Sequence, residues 1–162
     1  MKFFFLFLVT LALLDCKMKS EENWSIFTGT ENGKKIIIRF NKGLGEKYEY
    51  GDPNHPFRAG IAIPFLKPDS TGLPSSDENQ VFSNIEDSIF DKVQDQKRGV
   101  VATIITTNGM REFMMYIKTA DELKTPLAEL QKKYPGYKFT NYVTEDLGWT
   151  GYRLLIPEEQ NH

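Results

Sequence analysis

Along the chain, apolar positions recur at two spacings, one suited to strands and one to helices, with glycine- and proline-rich breaks between them. Trp24 to Thr28 reads as a short strand closed by a turn at Glu31, Asn32 and Gly33. Lys34 to Asn41 reads KKIIIRFN, and its three consecutive isoleucines predict a strand covered on both faces at its centre. Residues 42–57 hold three glycines and two prolines and predict an irregular connection. Arg58 to Leu66 is the next strand, with Pro64 pointing to an edge position or a bulge. A second loop, Lys67 to Ser76, carries Gly72-Leu73-Pro74.

Asp77 to Arg98 predicts the longest helix. Val81, Ile85, Ile89 and Val93 recur every fourth residue, and Phe82 and Phe90 widen the apolar arc. Ser75 or Ser76 supplies the N-terminal cap, Asp77 and Glu78 suit the positive end of the dipole, and Gly99 is placed to stop the helix. Asp87, Asp91 and Asp95 fall opposite the apolar arc, as a solvated face or, alternatively, a stripe that docks a basic partner or binds cations weakly. Glu86 falls inside that arc, so it must be paired or carry a raised pKa; Arg111, Arg39 or Arg58 from the sheet could pair with it. Val100 to Thr107 and Met110 to Lys118 then form a hairpin around Asn108-Gly109, with Phe113, Met115 and Ile117 on one face. Thr125-Pro126 looks like a cap and first helical position for a helix running to about Lys133, with an earlier turn or capping box at Thr119 and Glu122. Tyr137 to Glu145 predicts a further strand and Trp149 to Ile156 a last short one. This order predicts an α+β fold: a two-layer sandwich, mostly antiparallel sheet with two helices on one face, around a ferredoxin-like core.

The N-terminal segment changes the picture of where the domain works. Lys2 precedes an uncharged run from Phe3 to Leu14, shorter than the ~20 residues of a bilayer-spanning helix but of signal-peptide length. Cys16, the only cysteine, follows at once, and then a polar stretch from Lys17 to Asn23. This arrangement resembles a bacterial lipoprotein signal, in which the cysteine is acylated and becomes the mature N-terminus. Leu13 and Leu14 fit that pattern loosely and Asp15 departs from it, since a small uncharged residue is usual there. The division expected is a signal peptide over 1–15, a tether over 16–23 and one α+β domain over 24–162. The expected location is the cell envelope, lipid-anchored through Cys16 and facing the periplasm or the exterior, with a secreted or soluble periplasmic protein as the alternative.

Composition limits the chemistry. The 162 residues carry 20 Lys and Arg against 22 Asp and Glu, a net charge of −2 that gives no footprint for nucleic acid. One cysteine and two histidines, one of them His162, leave little for a metal centre, and none is expected, nor any cofactor. No nucleophile elbow, phosphate loop or His-Glu-x-x-His stretch occurs, so no catalytic residue is assigned. Gly43-Leu44-Gly45 has Tyr48 where a third glycine would stand and reads as a turn. His55, three residues after Asp52 in Gly51-Asp52-Pro53-Asn54-His55-Pro56, is the one place for a metal contact or an acid–base pair. Trp149, with Tyr152, Tyr142 and Tyr137, concentrates aromatics near the C-terminus, as core or as a contact anchor.

Gly72-Leu73-Pro74 before the capped helix with Ile85-Glu86-Asp87, Arg111-Glu112-Phe113 with Tyr116, Tyr134-Pro135, and the Trp149–Tyr152 pair together resemble the bacterial family called domain of unknown function 695, over about 24–155. The family is similar in fold to the regulator of ribonuclease E activity B group, compact α+β proteins that act by binding. The resemblance implies a non-catalytic protein-binding or regulatory module and offers no catalytic residues. The export signal separates this chain from a cytoplasmic regulator. The alternative is a small hydrolase or metal-assisted enzyme using the loop around His55.

Overall fold

The computed structural model describes residues 23–48 and 51–156. Six strands, β1 Trp24–Glu31, β2 Lys34–Asn41, β3 Phe57–Pro64, β4 Gly99–Thr107, β5 Met110–Ile117 and β6 Thr140–Glu145, form one sheet. Their order across it is β1-β2-β4-β5-β3-β6, and every neighbouring pair is antiparallel. Two tight turns set its register. Asn32-Gly33 joins β1 to β2 and Asn108-Gly109 joins β4 to β5, all four residues at positive φ, as such two-residue turns require.

Helix α2, Ser76–Phe90, and helix α3, Lys124–Lys133, cover one face. Ser75 caps α2 by accepting from the Glu78 N–H, and Phe82, Ile85 and Ile89 are fully buried against Ala59, Ile61, Phe113 and Met115 of the sheet. Burying each such side chain stabilises the fold by about 1.5–3 kcal/mol. A register shift between Val101 and Thr103 of β4 brings Val101 and Ile104 to this cluster and sends Ala102 to the other face.

The α+β architecture and the two helices on one face are as the sequence predicts; several elements differ. Residues 42–57 are not wholly irregular: Lys42–Lys47 is a short helix, α1, held by the buried Leu44. The long helix is not continuous to Arg98. It passes at Asp91–Asp95 into a π turn, and Lys97, at φ 58°, ends it in place of Gly99. Pro64 belongs to an interior strand, tolerated because β6 pairs with β3 only as far as Ala62. A 3-10 turn, Ala120–Leu123, precedes α3, so Leu123 rather than Thr125 stands at its cap and Pro126 lies inside the first turn. Thr119 makes no side-chain cap bond. Residues 137–139 precede β6 rather than belonging to it.

The second face also has partial cover. Trp149–Ile156 is not a strand: Thr150–Arg153 is a short helix, α4. With α1 it encloses Phe40, Leu44, Ala102, Met114, Tyr116, Trp149 and Tyr152. Beyond this cover the row Phe27–Ile38–Ile105 continues the apolar face, and Phe27 is 46% exposed. Of the three isoleucines, Ile37 lies on the α2 side and Ile36 and Ile38 on the other; all three are half-buried.

Candidate functional site

Strand β2 turns Arg39 toward α2, where Glu86 stands one residue beyond the buried Ile85. The Arg39 Nη2 donates to Glu86 Oε2 at 2.5 Å, and Arg111 Nη1 lies 4.0 Å from the same oxygen. Arg111 donates further to Thr106 Oγ1 and Asn79 Oδ1, each at 3.0 Å, and its guanidinium covers the Phe82 ring. Burial, then the nearby Arg39 charge, hold the Arg111 pKa below the ordinary guanidinium value against the opposing pull of Glu86. Glu86 is therefore paired, as its place in the apolar arc demands, with Arg39 and Arg111. Arg58 is not a partner; it lies 4.0 Å from Asp146 on the other face.

This pair forms the waist of an open groove between α2 and the sheet. On one side a cavity of about 450 Å³ is walled by Trp24, Phe90, Gln94, Asp87 and Asp95. On the other, a cavity of about 430 Å³ reaches Asn79, Ser83 and Thr106. Trp24 and Phe90 meet edge to face, ring centroids 6.0 Å apart. Asp87, Asp91 and Asp95 are exposed, but they do not make one stripe facing away. A π turn advances less per residue than an α turn, so it swings Asp95 back to the side of Asp87, and both line the groove.

The opposite face holds the other candidates together. His55 Nδ1 lies 2.6 Å from Asp52 Oδ2, while Asp52 Oδ1 accepts from the Asn54 N–H at 2.9 Å and its amide at 3.0 Å. Burial alone would raise the Asp52 carboxyl; the hydrogen bonds from Asn54 and His55 outweigh it, and the pKa lies below the usual carboxylate value. The His55 carbonyl accepts from Trp149 Nε1 at 3.0 Å, and Trp149 is fully buried, stacked on Tyr116 with centroids 4.2 Å apart. Trp149 is thus a core residue that ties down the His55 loop.

Sequence reasoning missed Asp146, which organises this end. It accepts from the Tyr116 hydroxyl at 2.8 Å, the Thr150 N–H at 2.8 Å and the Gly151 N–H at 2.9 Å. Gly151 leaves room for the Arg58 side chain: a Cβ there would lie 1.9 Å from Arg58 Nη1, so the guanidinium would have to shift. The available signal was Asp146 standing four residues before Thr150, a spacing that lets a carboxylate close the first turn of α4. The sequence also missed Trp24 and Phe90 as groove walls; their signals were an aromatic opening the first strand and another at the margin of the helix's apolar arc. Among the described residues no group of three or more His, Cys, Asp or Glu is placed to hold a metal. Cys16 lies outside the described residues.

A family model described as "Family of unknown function (DUF695)" matches residues 22–155. No curated protein and no solved structure matches the chain.

Proposed function

The chain belongs to the DUF695 family of unknown function, and from there we propose that it is an exported envelope protein, lipid-anchored through Cys16, whose domain binds a protein partner. The single observation that carries the binding role is the groove beside β1. It is open, walled by aromatic rings and carboxylates, and its opposed charges are already held in place by the Arg39–Glu86–Arg111 pairing. Preset charge and rigid aromatic walls favour recognition, because little side-chain freedom remains to be lost on binding. The anchor rests on the apolar run from Phe3 to Leu14 followed directly by Cys16.

Two measurements test this reading. Native protein from fractionated cells is weighed intact, wild type against Cys16→Ala. A membrane species starting at Cys16 and heavier by acyl chains is expected, and an unmodified full-length chain in the soluble fraction would overturn the anchor. Separately, a photocrosslinking residue is placed in cells at Ile26, paired with the groove residue Arg39, or at Glu145 on the far edge. A recurrent adduct from position 26 and none from 145 is expected; equal or no adducts would overturn the binding role.

The 2.6 Å contact of His55 with Asp52 favours a second reading, a small hydrolase or metal-assisted enzyme at that loop. In that case His55→Ala abolishes turnover or metal uptake while the melting temperature barely moves. Loss of stability without any activity to lose would reduce the pair to a loop clamp.

A further inference from the structure

We infer that the outer edge of β1, together with the groove beside it, takes an extended peptide segment carrying lysine or arginine, added as a seventh strand. The inference rests on the reading of the domain as a binding module and names its partner class.

Two independent features meet here. The first is the edge. β1 is the outermost strand, and its eight residues pair with β2 without a register shift. In an antiparallel ladder the backbone groups of alternate residues point away from the partner strand, so such an edge is a template for another chain. Exposed edges are normally blunted by lysine, proline or a bulge. β1 has no charge and no proline from Trp24 to Thr30, and it presents Ile26, 66% exposed, on one face and Phe27, 46% exposed, on the other. The opposite edge, β6, is shorter and reads Thr140-Asn141-Tyr142-Val143-Thr144-Glu145, so it offers less apolar surface.

The second feature is charge. Trp24 both opens β1 and walls the cavity that Asp87 and Asp95 share. Arg39 and Glu86 neutralise each other there, and among the described residues Asp87 and Asp95 have no ion-pair partner, so they add negative charge beside an aromatic ring. An ammonium or guanidinium on an apolar stem satisfies both, by charge and by contact with the ring face. At the other end of β1, Lys34 and Lys35 open β2 just past the Asn32-Gly33 turn, with Lys34 opposite Glu31. The charge therefore also sets direction: the basic residue of the incoming strand lies at the Trp24 end, with apolar residues along Ile26 and Phe27.

Titration calorimetry on the full chain in detergent, at low salt, tests this with three peptides of alternating composition: lysine–valine, glutamate–valine, and lysine–valine with alternate backbone nitrogens methylated. The first binds, the second does not, and the third binds at least tenfold more weakly because it cannot complete the ladder. The double variant Asp87→Asn, Asp95→Asn keeps its melting temperature and loses at least tenfold in affinity. Equal binding of the methylated peptide, or none of the lysine–valine peptide, overturns the inference. A stable dimer in sedimentation that excludes the peptide also overturns it, by assigning the edge to a second copy. If peptide binding fails while crosslinks still recur from position 26, the binding module stands and only this partner class falls.

Discussion

Glu86 is held between two guanidiniums, and the arrangement is asymmetric in what its loss does. Removing the carboxylate leaves Arg39 and the largely covered Arg111 facing each other without a counter-charge. Glu86→Ala is expected to destabilise the domain by about 1–3 kcal/mol, read as a lowered denaturant midpoint at unchanged slope. Glu86→Gln, which keeps an acceptor, costs less; equal stability of all three proteins would contradict the pairing. Asp52 and Asp146 make the second prediction. Asp146, like Asp52, is raised by burial and lowered further by hydrogen bonds, here from the Gly151 N–H, the Tyr116 hydroxyl and the Thr150 N–H, with Arg58 adding its charge. Both carboxyls lie below their usual value in the folded chain, so the unfolded chain takes up protons first as pH falls. Their contribution is whole above about pH 4, the unfolded value, and disappears as pH drops through the lower folded values. Asp52→Asn with Asp146→Asn therefore lowers stability at neutral pH and flattens the acid limb of the stability profile. An acid limb of unchanged steepness would refute this.

At the scale of elements, those with local signals form where the sequence puts them, and those made by distant contacts do not. Ser75 with the recurring Ile85 and Ile89 marks α2, and Asn108-Gly109 marks the β4–β5 hairpin. Ser75→Ala is expected to cost about 1 kcal/mol, measured by thermal or denaturant unfolding. By contrast, α1 reads Lys-Gly-Leu-Gly-Glu-Lys, poor helix chemistry, and is held by burial of Leu44 and by Gly45 N–H donating to the Tyr152 hydroxyl at 3.2 Å. Nothing local announces that partner, more than a hundred residues away. The C-terminal segment fails in the same way. Its alternation suits a strand, but Asp146 gathers the N–H groups of Thr150 and Gly151, and Trp149, at φ 52°, stacks on Tyr116 of β5. Trp149→Ala should cost about 3–5 kcal/mol and loosen α4 together with the His55 loop, because both are tied to that side chain. Amide exchange that sped up in α4 alone would contradict the coupling. In the site, Glu86 and its arginines were legible from helical spacing. The groove was not, because the π turn that redirects Asp95 leaves no pattern in the sequence.

The whole molecule is two-sided and also two-edged. One face of the sheet is closed by α2 and α3, the other is closed only at one end by α1 and α4. Edge β6 is short and largely polar, edge β1 is long, uncharged over most of its length and next to an acidic, aromatic groove. Antiparallel sheets with a solvated face normally present polar residues there, so Phe27 and Ile38 mark the β1 side as the part of the surface that departs from the rule. Phe27→Lys adds the missing edge charge; it should change stability by no more than about 0.5 kcal/mol while weakening the lysine–valine peptide at least tenfold. A large loss of stability instead would make Phe27 a packing residue of the fold. The most direct measurement of the central claim is residue-resolved amide exchange of the full chain with and without that peptide. Slowed exchange at alternate amides of β1, with β6 unchanged, is the predicted result. Protection confined to α2, or equal at both edges, would contradict strand addition at β1.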